Sequence, residues 1–258
     1  MTTFIDVALG ADPGRWPLPT AVTAEELWLR AVAAGGQGRY AAAVADLEAL
    51  TRLQSRGRAA SLAASTRGSF LRQLGGHDSA RTWDGSAFAL AGPDVDAAAD
   101  ALIGLAADAL GVGRFAASST LLRRAEQLVG RERADRIPVR LAWVSAELAM
   151  ATGHAAAVEH AERAVALAAP TGSARHVVKS QVVLAAALCS VGALEAARVV
   201  ADAALVDAER LGLIPLSWAL ASLLADIGST ALAPAEIVAA RDAFAAEVRH
   251  RGGRWTAR

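Results

Sequence analysis

A glycine recurs along this chain at nearly constant spacing, each time opening a similar word: "GRYAAA" from Gly38, "GGHDSA" from Gly75, "GRFAAS" from Gly113, "GHAAAV" from Gly153 and "GALEAA" from Gly192. A weaker sixth copy is Gly228 in "DIGSTALA". The successive intervals are 37, 38, 40, 39 and 36 residues. A fixed period of this length means one supersecondary unit stacked many times, because a single unit cannot bury its apolar face alone.

Other positions keep step with the glycine. Seven residues before it stand Ala31, Gly68, Ala106, Ala146, Ala185 and Ala221. Five after it come Ala43, Ala80, Ser118, Val158, Ala197 and Ala233, and twelve after it Leu50, Ala87, Ala125, Val165, Ala204 and Ala240. The fourth unit fits better one residue tighter, on Ala157 and Ala164. Small residues at helical spacing on both sides of a glycine predict two closely approaching helices. The glycine between them takes the left-handed conformation that other residues adopt only at a cost. Two residues after the glycine stand Tyr40, His77, Phe115, Ala155 and Leu194, read as the plug of each hairpin. Much of the 54% hydrophobic content is alanine, the best helix former, and β-branched runs are short, so the composition also points to an all-α chain.

This pattern resembles the tetratricopeptide (TPR) repeat, with the best matches at Gly68, Gly75, Ala80 and Ala87 in the second unit and Gly38, Tyr40 and Ala43 in the first. The resemblance covers roughly residues 23–250. The period departs from the usual length of about 34 residues, and the closing proline is matched only near Pro170. It implies a right-handed α-solenoid of about six helix-turn-helix hairpins. Residues 1–22, with Pro13, Pro17 and Pro19, read as an extended lead-in, and residues 251–258, "RGGRWTAR", as a frayed basic tail. Thr23 followed by Glu26 predicts a capping box at the first helix. "AGPDVDAAAD" at 91–100 and "APTGSAR" at 169–175 supply breaks and caps before the third and fifth units. Pro234 opens the second helix of the sixth.

Gly35, Gly36 and Gly38 could belong to a phosphate-cradling loop, but such a loop follows a strand, and a Walker-type one is followed by Lys and Ser or Thr. Here "LWLRAVAA" reads as helix and no such Lys follows, which favours the hairpin turn. The five histidines, His77, His154, His160, His176 and His250, form no HExxH pattern or Cys/His cluster, and Cys189 lies in an apolar helix. No G-x-S-x-G word is present. The expectation is a non-enzymatic protein with no cofactor and no metal. Lys and Arg total 26 against 26 Asp and Glu, which argues against a nucleic-acid coat or a membrane-surface binder. The longest apolar run, 182–194, is about 13 residues and too short for a bilayer span. One cysteine and no basic-then-apolar leader fit a cytoplasmic protein.

By the resemblance, the position ten residues before each turn glycine faces a concave groove: Trp28, Ser65, Ile103, Trp143, Val182 and Trp218. Three of the six tryptophans share that position. Leu62, Ser69, Arg72, Gln73, Arg140, Glu147 and Lys179 accompany them. The peptide-binding groove is therefore read as Trp28, Ser69, Arg72, Gln73, Arg140, Trp143, Glu147, Lys179 and Trp218, aromatic anchors among polar donors. The same tryptophans can instead pack between hairpins as core. The clamp by which some TPR domains hold a chaperone's terminal carboxylate is not matched, since the chain has no Asn.

A second feature is a basic edge of Arg123, Arg124, Arg131, Arg133 and Arg136, interleaved with Glu126, Glu132 and Asp135. It reads as a solvated, partly self-paired surface or as a contact for an acidic partner; base-stacking aromatics are absent from it. The function expected from these features is a protein–protein interaction module binding a peptide or protein segment. The alternatives are a transcription-linked or peptide-sensing regulator that uses the Arg-rich edge, and a scaffold that self-associates through a terminal hairpin.

Overall fold

The computed structural model describes residues 2–129 and 136–256. Among them are thirteen α-helices and no strand. In chain order they are α1 (Thr2–Leu9), α2 (Ala24–Gly36), α3 (Tyr40–Leu53), α4 (Arg58–Gln73), α5 (His77–Ala91), α6 (Val95–Gly111) and α7 (Phe115–Val129). Then follow α8 (Arg136–Ala151), α9 (Ala157–Ala168), α10 (Ala174–Ser190), α11 (Leu194–Arg210), α12 (Ile214–Ile227) and α13 (Pro234–His250). From α2 onward each helix packs mainly on its sequence neighbours, and the even-numbered helices also touch one another in succession. They make an inner layer, with the odd-numbered helices outside it.

The turn glycines do what their period demands. Gly38, Gly75, Gly113, Gly153 and Gly192 all have φ between 66° and 87°. The small residues seven positions earlier mark the closest helix approaches: Ala31, Ala106, Ala146, Ala185 and Ala221 are 0% exposed. Gly68 of α4 and Gly104 of α6 lie on either side of the buried Asp84 of α5, whose carboxylate occupies the space a methyl group would need at both. The last unit breaks step, with Ala233 exposed beside Pro234 at the start of α13. The hairpin-plug reading holds only in part. Tyr40 is buried, edge-on to Phe70 at 5.5 Å, and its hydroxyl donates to Gln73 Oε1 at 3.0 Å. His77 is half-buried against Gly111, but Phe115, Ala155 and Leu194 are exposed. Among the described residues, nothing lies within 4 Å of a methyl placed at Gly113, Gly153 or Gly192, so the side chains after those turns have no surface to fill.

The expected caps are present. Thr23 Oγ1 accepts from the Glu26 amide at 3.2 Å while Glu26 Oε2 accepts from the Thr23 amide at 3.1 Å. Asp94 caps α6 through the Ala97 amide at 2.8 Å, and Ser173 caps α10 through the His176 amide.

The two chain ends differ from their sequence readings. The lead-in carries α1, whose Phe4, Val7 and Ala8 are buried against the first hairpin. Farther on, the Pro13 and Arg15 carbonyls accept from Gln37 Nε2 at 2.8 and 3.0 Å. At the other end the residues after α13 are packed, not frayed. Arg251 donates to the Gln37 carbonyl at 2.7 Å, and its own carbonyl accepts from the Ala41 amide at 3.1 Å. The Thr256 amide donates to the Leu74 carbonyl at 2.9 Å, and Trp255 lies on Trp218. The stack therefore bends until its last helix reaches its first hairpin. Sequence periodicity cannot show this, because it reports contacts between neighbours and not between ends.

The turn and packing roles of glycine are separable by substitution. Gly192→Ala, at φ 81° with nothing within 4 Å of the new methyl, is expected to cost about 1–2 kcal/mol from backbone strain alone. Gly68→Ala drives a methyl into the Asp84 carboxylate, an overpacking cost of about 1–3 kcal/mol, to which displacement of an ion pair adds. Urea denaturation should rank Gly68→Ala as the more damaging change.

Candidate functional site

The inner helices surround a cavity of about 400 Å³. Each contributes from one face at i, i+3, i+4 spacing. Trp28 comes from α2, Ser69, Arg72 and Gln73 from α4, and Ile103 from α6. Arg140, Trp143 and Glu147 come from α8, Lys179 and Val182 from α10, and Trp218 from α12. All nine residues read from the sequence as a groove thus line one cavity. Leu62 and Ser65 do not; both are buried within the helix packing.

The tryptophans are wall and strut at once. Trp28 Nε1 donates to Thr66 Oγ1 at 3.0 Å and Trp143 Nε1 to Ser180 Oγ at 2.8 Å, each bond crossing to the next helix pair. Trp28 is 8% exposed and belongs to the first core cluster, while Trp143 and Trp218 are half-buried. Trp143 stacks on His176 at 5.3 Å and 15°, and Trp218 meets Trp255 at 4.3 Å. The first pair forms a flat wall, while the rings of the second meet at 42°.

Charge is packed behind and between those pairs. Arg72 joins Asp84 and, at 2.9 Å, Asp108. Asp100 of α6 holds both Arg136 at 2.8 Å and Arg140 at 2.7 Å, and Glu147 lies 3.3 Å from Lys179. Arg136 also sits 5.5 Å over the Trp28 ring and Lys179 5.9 Å over Trp143, both cation–π distances. Burial would raise the Asp100 carboxyl, but the two arginines outweigh it and hold it below its ordinary value. For Asp84, burial wins: its carboxyl is pushed up to about 7 against the pull of Arg72, with Asp108 adding to the rise. Burial lowers His176 well below its ordinary value, reinforced by Arg175, Arg136 and Arg140, so its ring is neutral at pH 7. His176 Nδ1 lies 2.6 Å from Ser173 Oγ.

The sequence reading missed several lining residues. Arg175 and His176 of α10, His77 of α5 and Trp255 all reach the cavity. Arg175 was legible: it lies one turn before Lys179 on the same face, as Arg136 lies one turn before Arg140. The described arginines of the basic edge do not share one surface. Arg123 and Arg124 are exposed on α7, the second 5.6 Å over Phe88. Arg136 instead turns inward to Asp100, because α8 presents that face to α6. Arg131 and Arg133 lie outside the described residues.

Among the described residues no group of three His, Cys, Asp or Glu side chains is arranged to hold a metal ion, and no helix is long and apolar enough to cross a membrane.

Two substitutions probe the buried charge. Asp100→Ala leaves Arg136 and Arg140 in the interior without their shared carboxylate and is expected to cost about 3–5 kcal/mol, measured by chemical denaturation. Asp84 titrates at about 7 in the folded chain and near its ordinary 3.8 when unfolded, so the folded form binds the extra proton between those values. Its contribution to stability is present at low pH and lost as pH rises through 7. Asp84→Asn should give a Tm that falls less steeply from pH 5 to 8 than that of the unsubstituted chain; parallel slopes would contradict the assignment.

A comparison with protein-family models finds no match to this chain, and a comparison with curated protein sequences finds none either.

Proposed function

We propose that this chain is a tetratricopeptide-like binding protein that receives a short segment of a peptide or protein partner in its central cavity. The observation that carries this reading is the convergence of every inner helix on one concave space walled by aromatic side chains and polar donors. Ligand sites are concave, mostly apolar and furnished with a few fixed polar groups. The polar groups here are held by partners before any ligand arrives: Arg72 by Asp84 and Asp108, Arg140 by Asp100, Lys179 by Glu147. Preorganised side chains lose little freedom on binding, so more of the contact energy appears as affinity.

The size narrows the partner. About 400 Å³ lies low in the range of roughly 300–1,000 Å³ common for small-ligand pockets. That space suits a few residues and not a long extended run. The regulator reading that relied on the Arg-rich edge has less support, because Arg136 belongs to the cavity and not to an outer surface.

The test uses the full chain and a mixture library of tetrapeptides, read by tryptophan fluorescence, since Trp28, Trp143, Trp218 and Trp255 all line the cavity. At least one peptide family should give saturable quenching. Ala219→Phe, which fills part of the same space from α12, should weaken it tenfold or more with helical circular dichroism unchanged. A library that leaves the fluorescence unmoved, or binding that ignores Ala219→Phe, removes the proposal.

A further inference from the structure

Arg175 sits in the first turn of α10 with its side chain against Gly36 of α2. Its Nε is sealed from solvent and has no hydrogen-bond partner, and no carboxylate among the described residues lies within ion-pair distance of it. Burial and the nearby Arg140 and Arg136 push the guanidinium down to about 10, with no acid opposing them. The neighbouring cations are better provided for, yet not fully. Arg136 and Arg140 share the single carboxylate of Asp100, and Lys179 has Glu147. Among the described residues, four cations on this side of the cavity therefore face two carboxylates. Trp255 Nε1, elsewhere in the lining, is a second buried donor with no acceptor.

Arg175 is half-buried, and a partly desolvated cation without a counter-charge is unfavourable; water would satisfy the hydrogen bond of its sealed Nε but not its charge. A ligand that brings the charge resolves both. We infer that the cavity takes a small ligand with an anionic group, a carboxylate or a phosphate, on a planar apolar body. The anion sits at Arg175, where a guanidinium offers paired donors in the geometry both groups accept. The planar body lies along the Trp143–His176 stack, whose imidazole, neutral at pH 7, adds no competing charge on that wall. The inference rests on the reading of this cavity as a ligand site and specifies the chemistry it recognises.

The experiment titrates the full chain with phenylacetate, phenyl phosphate, the neutral phenylacetamide and inorganic phosphate, by calorimetry and tryptophan fluorescence. At least one of the two aromatic anions should bind ten times or more tighter than the amide, and the tighter of the two identifies the anionic group. Inorganic phosphate alone should bind more weakly than phenyl phosphate, since it lacks the ring. In Arg175→Gln the preference for anion over amide should vanish while Tm stays level or rises, because an uncompensated charge has left the interior. Arg175→Lys should keep part of the preference.

Equal affinity for acids and amide, or anion binding unchanged in Arg175→Gln, overturns the inference. So does loss of helical circular dichroism in Arg175→Gln, which would mean that the chain itself needs that charge. Inorganic phosphate binding as well as phenyl phosphate removes the planar body from the proposal. The peptide reading is judged separately. Peptides that bind Arg175→Gln undiminished leave it standing while this inference falls. Aromatic anions that bind where no tetrapeptide does reverse that outcome.

Discussion

Both chain ends are tied to one turn, the Gln37–Tyr40 connection of the first hairpin, and the shape of the cavity depends on that closure. The Gln37 side chain donates to the Pro13 and Arg15 carbonyls, while its own carbonyl accepts from Arg251. The Ala41 amide answers with a bond to the Arg251 carbonyl. An open stack of hairpins offers a groove with solvent at both ends. Bending the stack until α13 meets α3 makes the inner helices face one another, so that Trp28 of the first pair and Trp218 of the last line the same space. Trp255, delivered by the residues after α13, completes the wall.

Neighbouring inner helices gather arginine heads, and the fold answers with buried aspartates. Asp84, Asp100 and Asp108 project from α5 and α6 toward Arg72, Arg136 and Arg140. These pairs are weak evidence for stability, because desolvating two charges offsets most of their attraction. They are stronger evidence for fixed geometry: each guanidinium is held where the cavity needs it. Gly68 and Gly104 belong to the same arrangement, since only a side chain of hydrogen leaves room for Asp84 between α4 and α6. The balance stops at Arg175, whose charge nothing among the described residues meets.

Much of this was legible in the residues. The glycine period placed the turns, and the small residues seven positions before them placed the helix contacts. The resemblance to the tetratricopeptide repeat pointed, at the shared position of Trp28, Trp143 and Trp218, to the face that lines the cavity. Their companions Ser69, Arg72, Gln73, Arg140, Glu147 and Lys179 followed from helical spacing on the same faces. The choice between groove and core had no answer in the pattern, because these tryptophans do both: the indole N–H of Trp28 and of Trp143 bridges to the next helix pair while each ring borders the cavity. Arg136 was assigned to an edge by its charged sequence neighbours, whereas its direction is set by the helix face it occupies.

By itself the sequence determined the helices, their pairing and the side of each pair that carries aromatic and charged groups, because these follow from local periodicity and from where glycine and alanine permit close approach. Tertiary structure alone decided that the ends meet, that α1 and the residues around Trp255 are structural, and that, among the described residues, Arg175 lines the cavity without a counter-charge. The meeting of the ends depends on contacts between residues some two hundred positions apart, such as Gln37 with Arg251. Small rotations summed over every helix pair produce such contacts, and no single repeat encodes the sum.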